Sequence, residues 1–338
     1  VSELERRLGE AFDAAARASV DDAAAPPTPR FAAAAPGRRP GRWLAPMAAA
    51  AAVVAVVGSV LAVRAGEHHQ RTPAAAGAPV RIRLATGDGG TYGVGMPVVA
   101  YFSRQFASAK SLSAATTITI DDKQVHGAWY FERSTQRPGY PVEGHLRLRD
   151  YWPADARITV QIESRHLSGG PGYTFANAAR LTFSTGPRVV AVVDDATHRL
   201  SITRDGKPMG SYPVALGAAA TPTSRGVKVI MQKDPAVCLR GPGFHECGVR
   251  YAEQLTYSGE YLHAAPWNMA NIKMGRDTSN GCTNLLPSDA AALYKTLTVG
   301  DVVVYPDATG PPMRADAGYG DWNVPWSVWQ GGGLIPNS

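Results

Sequence analysis

From Val80 onward the chain alternates between apolar and polar positions. Val80, Ile82 and Leu84 are separated by Arg81 and Arg83, and a strand-like pattern returns in MPVVAYF, TITI, GAWYF, HLRLR, RITVQIE and RLTFST. An apolar residue at every second position lines one face of an extended segment, so these runs predict β-strands that bury one side. Gly, Pro and Asp separate them at hairpin spacing, the pattern of an antiparallel sandwich, and residues 80–187 are expected to form an Ig-like domain. A second set opens with Val189 to Val193 and HRLSIT, turns at Asp205-Gly206, and continues through KPMGSYPV, VKVIMQK, VRYAEQL, GEYLHAA and DVVVYP. Asp-Gly between alternating segments signals a hairpin, because both residues tolerate positive φ. PSDAAALYKTL is the one clear helical stretch, with Ser288 or Asp289 placed to cap it. Residues 188–307 therefore read as a β-rich domain with one main helix. Residues 308–338 form a tail whose Trp322, Trp326 and Trp329 are expected to cover the protein's own domain interface, with a glycan-stacking platform as the alternative.

The pattern before Val80 is different. Leu44 to Val63 carries no charge and is long enough for a helix to cross a bilayer's hydrocarbon core. Arg38, Arg39 and Arg42 precede it and only Arg64 follows closely, a bias that places residues 1–43 in the cytoplasm and everything after the span outside. The segment 44–63 is thus expected to be a single-pass transmembrane signal-anchor, and 64–79 a polar, Ala/Pro-containing linker. An Ala-rich soluble helix and a signal peptide cleaved near Val63 and Ala65 are the alternatives. The predicted fold class is mainly β: an Ig-like β-sandwich, then a β-rich domain with one main helix, preceded by one transmembrane anchor.

Composition narrows the function. An apolar fraction of 45% with 18% charged residues excludes wholesale disorder. The net charge of +6 is small and no Lys/Arg block carries it, so nucleic acid is not expected as a partner. Three cysteines leave one thiol over if two pair; Cys238 and Cys247 are close in sequence, and Cys282 stands apart.

The candidate chemistry lies at His263 in YLHAAPW and at Ser279-Asn280-Gly281-Cys282-Thr283-Asn284. A cysteine thiolate is a competent acyl acceptor, and an imidazole in reach can take the thiol proton and later return it to a leaving amine. Gly281 would let substrate approach the backbone, and amides around the turn, with Ser279, could stabilise an oxyanion. No cofactor or metal is implied by this pair.

These residues resemble the motif of the L,D-transpeptidases of the YkuD domain class, a His followed by Ser/Thr-His-Gly-Cys-x-Asn. The match is carried by His263, Ser279, Gly281, Cys282 and Asn284, with VVAVVDDATHRLSITRDGK, YAEQLTYSGEYLHAAPW and GDWNVPW similar to the actinobacterial, mycobacterial-type members. The resemblance implies a YkuD-like catalytic domain that crosslinks peptidoglycan: Cys282 attacks the carbonyl before the terminal D-Ala of a tetrapeptide donor stem, D-Ala leaves, and a side-chain amine of a diamino-acid acceptor stem takes the acyl group. It implies that His263 is base and then acid, oriented by the Ala264 carbonyl, and that Ser258, Gly259 and Asn284 bind substrate. Asn280 stands where the family has a second His, and an amide does not titrate near neutral pH. A catalytically impaired wall-binding scaffold and an L,D-carboxypeptidase are therefore the alternative functions. Cys238 and Cys247 fall in the stretch that corresponds to the family's lid, where a disulfide is expected outside the cell; His245 between them allows a Cys/His metal site instead, or a substrate contact. The Ig-like module reads as a spacer that lifts the catalytic domain into the wall.

Overall fold

The structure, a computed structural model, describes residues 77–337 apart from Pro242. The segments 1–43 and 44–63 and most of 64–79 lie outside the described residues, and within the described residues no helix is long and apolar enough to cross a membrane.

The first half is a two-sheet sandwich. A five-stranded sheet runs in the order Thr91–Tyr92, Ala179–Thr185, Arg157–Ile162, Thr116–Ile120, Lys123–Val125, and a four-stranded sheet in the order Ile82–Leu84, Val98–Phe102, Val142–Arg147, Ala128–Arg133. The alternating residues meet between them: Ile158, Val160, Ile162, Leu181 and Phe183 from one sheet, Phe102, Trp129, Phe131 and Leu146 from the other. Phe102 and Phe131 meet edge to face with centroids 5.6 Å apart. Each such side chain contributes about 1.5–3 kcal/mol through its removal from water.

The second half is built on a nine-stranded sheet. Its order is Gly226–Val229, Val302–Tyr305, Val189–Asp194, Arg199–Arg204, Lys207–Ala215, Thr283–Leu285, Tyr261–Ala264, Phe244–Gln254, Gln232–Gly241. Asp205 (φ 50°) and Gly206 (φ 75°) make the hairpin turn between the sequence-adjacent strands Arg199–Arg204 and Lys207–Ala215 possible. The short strand Thr283–Leu285 lies antiparallel to Lys207–Ala215 and parallel to Tyr261–Ala264, and its register pairs His263 with Asn284. Paired residues on neighbouring strands share a face, so this register alone brings the two side chains together.

The helix Pro287–Thr296 packs Ala290 and Leu293 against Leu262, Ala264 and Leu285, which fixes the strand that follows Cys282. Neither Ser288 nor Asp289 caps it: the N-cap is Leu286, without a side-chain hydrogen bond. Pro287 at the first position has no N–H to satisfy, and Asp289 instead lies in the first turn, where its charge suits the helix dipole. A second helix, Met269–Met274, follows a 3₁₀ turn at Pro266–Asn268 and ends on Gly275 in the left-handed region (φ 61°).

The tail packs on the sandwich. Phe131 N–H donates to the Gly332 carbonyl at 2.9 Å and Leu334 N–H to the Phe131 carbonyl at 2.8 Å, so the tail covers the edge strand Ala128–Arg133. Trp329 is fully buried and donates its indole N–H to the Ala128 carbonyl at 2.8 Å. The Arg147 guanidinium lies 4.3 Å from the Trp329 ring centroid, 4.7 Å from Trp322 and 5.3 Å from Trp326.

Candidate active site

Cys282 sits at the entry to the strand Thr283–Leu285, at the end of a turn held by its own polar groups. Ser279 Oγ donates to the Cys282 carbonyl at 2.5 Å and accepts from Gly281 N–H at 3.2 Å. Thr221 and Thr223 hydroxyls donate to the carbonyls of Ser279 and Gly281, each at 3.0 Å. Gly281 has φ 104°, a conformation that a side chain disfavours, although a Cβ there would meet nothing closer than 3.8 Å. Its glycine is therefore required by the backbone rather than by crowding.

The thiol is buried, 8% exposed, and its Sγ lies 3.5 Å from the Gly259 carbonyl oxygen. Burial pushes the thiol up to about 11, with a hydrogen bond from the Tyr261 backbone and the charge of Lys228 pulling the other way. Gly259 itself has φ 101°, so it turns the chain to present that carbonyl.

His263 is 2% exposed. Its Nδ1–H donates to the Ala264 carbonyl at 2.9 Å, and its Nε2 lies 3.0 Å from Asn284 Nδ2, which donates to it. Because a carbonyl can only accept, this arrangement leaves the lone pair on Nε2 and the ring neutral. Burial holds the imidazole below its ordinary value, opposed by the Ala264 bond. Trp267, 56% exposed, stacks on the ring at 5.9 Å. No hydrogen bond joins Sγ to Nε2 among the described residues; the thiol and the imidazole rest as two neutral groups on one cavity.

That cavity, of about 200 Å³, is lined by His263, Cys282, Asn284, Ser279 and Asn280, by Trp267, Asn268 and Thr278, and by Leu239, Phe244 and Glu246 of the hairpin Gln232–Gly241/Phe244–Gln254. Cys238 and Cys247 are joined by a disulfide across the exposed end of this hairpin. His245 is exposed there, 3.0 Å from Arg240 Nε and 3.3 Å from Cys247 Sγ, and does not line the cavity. With both sulfurs in a disulfide, the Cys/His metal site has lost its thiolates. Ser258 is exposed and bonds Thr256 Oγ1 at 3.0 Å; it shapes the loop that carries Gly259 without itself lining the cavity. A larger cleft, about 650 Å³, lies between Asp150–Pro153, Arg188 and Trp322–Trp326, away from the cysteine.

Several residues of this neighbourhood carry no motif. Lys228 is fully buried, with Nζ 2.5 Å from Glu260 Oε2 and 3.9 Å from the Tyr305 ring centroid. Burial lowers its pKa against the pull of Glu260. Tyr305 OH meets Thr283 Oγ1 at 2.7 Å, one residue after Cys282. Asn268 sits beside Trp267 of the quoted YLHAAPW, the only signal that it belongs to the site.

A buried cysteine on a glycine turn, a histidine fixed by a carbonyl and a hairpin over both form an arrangement chemically able to transfer an acyl group, on a β-rich domain behind an Ig-like sandwich. Residues 188–304 match the L,D-transpeptidase catalytic domain (YkuD), and residues 62–168 match the bacterial Ig domain. Residues 188–304 thus form a domain of the L,D-transpeptidase (YkuD) type, behind a bacterial Ig domain. It is 28% identical over 255 residues to L,D-transpeptidase 2 of Mycobacterium tuberculosis, covering 73% of this chain and 60% of that protein. It is also 28% identical over 257 residues to L,D-transpeptidase 5 of the same species, covering 74% and 55%. The match thus spans less than two thirds of these relatives' length. Among solved structures it is similar to an L,D-transpeptidase from Mycobacterium smegmatis, with TM-score 0.52 and 25% identity over 68% of this chain and 99% of that one.

Proposed function

We propose that this protein is a peptidoglycan L,D-transpeptidase that works through an acyl-enzyme on Cys282. The observation that carries the reading is the pairing, on one cavity, of a buried thiol with an imidazole whose Nδ1–H is fixed by Ala264, which leaves Nε2 as the proton acceptor. Cys282 Sγ attacks the carbonyl between the third residue and the terminal D-Ala of a tetrapeptide stem as its proton passes to His263. The C–N bond breaks, His263 returns the proton to the leaving D-Ala amine, and a thioester remains. A side-chain amine on the third residue of a second stem then attacks the thioester, gives its proton to His263, and expels the thiolate, which recovers that proton. Asn280, on the cavity wall, has no titrating role in this sequence.

The apolar stretch Leu44 to Val63 with its flanking arginines, and the Cys238–Cys247 disulfide, which suits an oxidising compartment, support a membrane-anchored enzyme acting in the cell-wall space. Incubation with a tetrapeptide stem, and separately with a carbapenem, followed by mass spectrometry of the intact protein and its peptides tests the reaction. An adduct on Cys282 that is absent from Cys282→Ser is expected, with a crosslinked product only when an amine acceptor is present. Hydrolysis in place of crosslinking would make the protein an L,D-carboxypeptidase. Absence of any adduct that Asn280→His then restores would make it an impaired scaffold.

A further inference from the structure

His263 is the end of a chain of amides that all point one way. Asn271 Nδ2 donates to Asn268 Oδ1 at 2.8 Å, Asn268 Nδ2 donates to Asn284 Oδ1 at 3.0 Å, Asn284 Nδ2 donates to His263 Nε2 at 3.0 Å, and His263 Nδ1 donates to the Ala264 carbonyl at 2.9 Å. Thr278 Oγ1 closes the middle of the chain, 2.9 Å from Asn268 Nδ2 and 3.1 Å from Oδ1. Asn268 is 7% exposed and Asn284 4%, so an amide that turns away leaves a largely buried partner unpaired, at a cost. An amide has a donor end and an acceptor end, and the Ala264 carbonyl accepts only. The direction of the whole chain is therefore set, and it matches a neutral ring.

An imidazolium needs the opposite direction. Once Nε2 carries a proton it is a donor, and Asn284 must turn to offer Oδ1. Asn284 Nδ2 then faces Asn268, which must turn too, or two N–H groups confront each other in a buried site. We propose that Asn268 is a positioning residue for the proton transfer: by fixing the direction of the Asn284 amide it holds the His263 lone pair ready at Nε2 and biases the resting ring toward its neutral form. This rests on the reading of His263 as the base for Cys282. In the reaction, the thiol proton passes to Nε2 as the S–C bond forms; the Asn284 N–H bond to Nε2 is given up and Oδ1 replaces it.

Substitution of Asn268 separates this role from mere packing. Cys282 and Glu246 are the ionisable groups that line the cavity with the ring, and neither is altered. In Asn268→Asp only acceptors face Asn284, so its amide is expected to turn and the His263 titration, followed by imidazole ¹⁵N shifts, to move up by about one pH unit or more. Asn268→Ala adds no charge but frees the Asn284 amide to turn, and a smaller upward shift with a mixed tautomer population is expected. The acidic limb of Cys282 acylation by a carbapenem should move with the NMR titration, with kcat falling at neutral pH and KM little changed. Asn268→Ser, smaller and still able to donate and accept, is expected to return most of the wild-type profile and serves if the Ala variant does not fold. An unchanged titration and tautomer in a folded Asn268→Ala would overturn the proposal, as would a shift in the Asp variant alone, which would reduce the effect to charge. If the NMR titration moves as expected but no variant or wild-type protein is acylated, the positioning role stands and the transpeptidase reading fails.

Discussion

Raising the pH against a small electrophile probes the resting state of the nucleophile directly. The Cys282 thiol is enclosed, its Sγ faces the Gly259 carbonyl, and the imidazole on its cavity has its Nε2 lone pair engaged by Asn284. Burial puts the thiol at about 11, so about one molecule in ten thousand is thiolate at pH 7, against roughly 3% for an ordinary cysteine near 8.5. Alkylation by iodoacetamide, followed by mass spectrometry of the Cys282 peptide, should therefore be slow at pH 7 and climb about tenfold per pH unit to pH 10. His263→Ala should leave that slope intact, because the histidine does not hold the proton at rest, while it should abolish acylation by a stem peptide. The same shift has a stability consequence of definite sign. An acid whose folded value lies above its unfolded one stabilises the fold while neutral; with a rise from 9.0 to about 11, that contribution is present below pH 9 and lost between 9 and 11, about 3 kcal/mol in all. Cys282→Ser should escape this loss, so the difference between its urea stability and that of the wild type should change with pH only above 9. A plateau of alkylation below pH 8 would refute the reasoning, since it requires a thiolate–imidazolium pair at rest.

The buried lysine and the interdomain tyrosine give two further tests. Lys228→Met removes the partner of Glu260, which keeps the Ser224 N–H at 2.9 Å and Oγ at 2.8 Å, so a cost near the low end of about 3–5 kcal/mol is expected in urea unfolding, partly recovered by adding Glu260→Leu. Tyr257→Phe removes the donor to Glu143 Oε1 at 2.7 Å and should cost about 1–3 kcal/mol in the same measurement, because that carboxylate is 1% exposed and loses a hydrogen bond.

Local pattern told most where neighbours in sequence are neighbours in space. The alternation of Arg157–Ile162 and the Asp205-Gly206 turn each depend on a few adjacent residues, and the structure has a strand and a hairpin there. The run HLRLR shows the limit. In Val142–Arg147 the residues Glu143, His145 and Arg147 alternate with an apolar face as a solvated strand would, yet all three are buried. Their cover comes from Asp321, whose Oδ1 lies 2.6 Å from His145 Nδ1, and from Trp322, Trp326 and Trp329, all far along the chain. No local period reports such a partner. The helix Met269–Met274 is too short to show a 3.6-residue period, and Lys228 reads as a polar strand residue until Glu260 and Tyr305 are placed around it. At the site, Cys282 and His263 were legible because a thiol acyl acceptor needs an imidazole within reach; Asn284 came only through the family motif, as a substrate-binding residue, whereas the structure sets it against His263. Asn268 was not legible, because an amide that acts on another amide leaves no signature in sequence. His245 was drawn toward the site by its place in the hairpin, which the strand register instead turns toward Arg240.

The Ig-like half is joined to the second half by buried polar contacts. Glu143 lies on a strand of the sandwich, and its Oε1 accepts from Tyr257 of the second domain and lies 2.9 Å from His145 Nε2. His145 is in turn tied to Asp321 of the tail, and Arg147 on the same strand is enclosed by the tail's tryptophans and donates to the Val324 carbonyl at 2.8 Å. Three segments distant in sequence therefore share one buried polar cluster, and Glu132, pushed up to about 8 by its burial there, completes it. Tyr257 stands two residues before Gly259, the residue whose carbonyl receives the Cys282 thiol, and Thr256, just before Tyr257, accepts Glu260 N–H at 2.9 Å. The loop that faces Cys282 is thus anchored on one side by Glu143 of the sandwich and on the other by the Glu260–Lys228 pair. A chain cut at residue 187 would keep the cysteine, the histidine and the amides around them, but would leave Tyr257, Asp321 and the tail's tryptophans without the strand that encloses them. The sandwich is accordingly part of the second half's own packing, and through Tyr257 it is tied to the loop that carries Gly259.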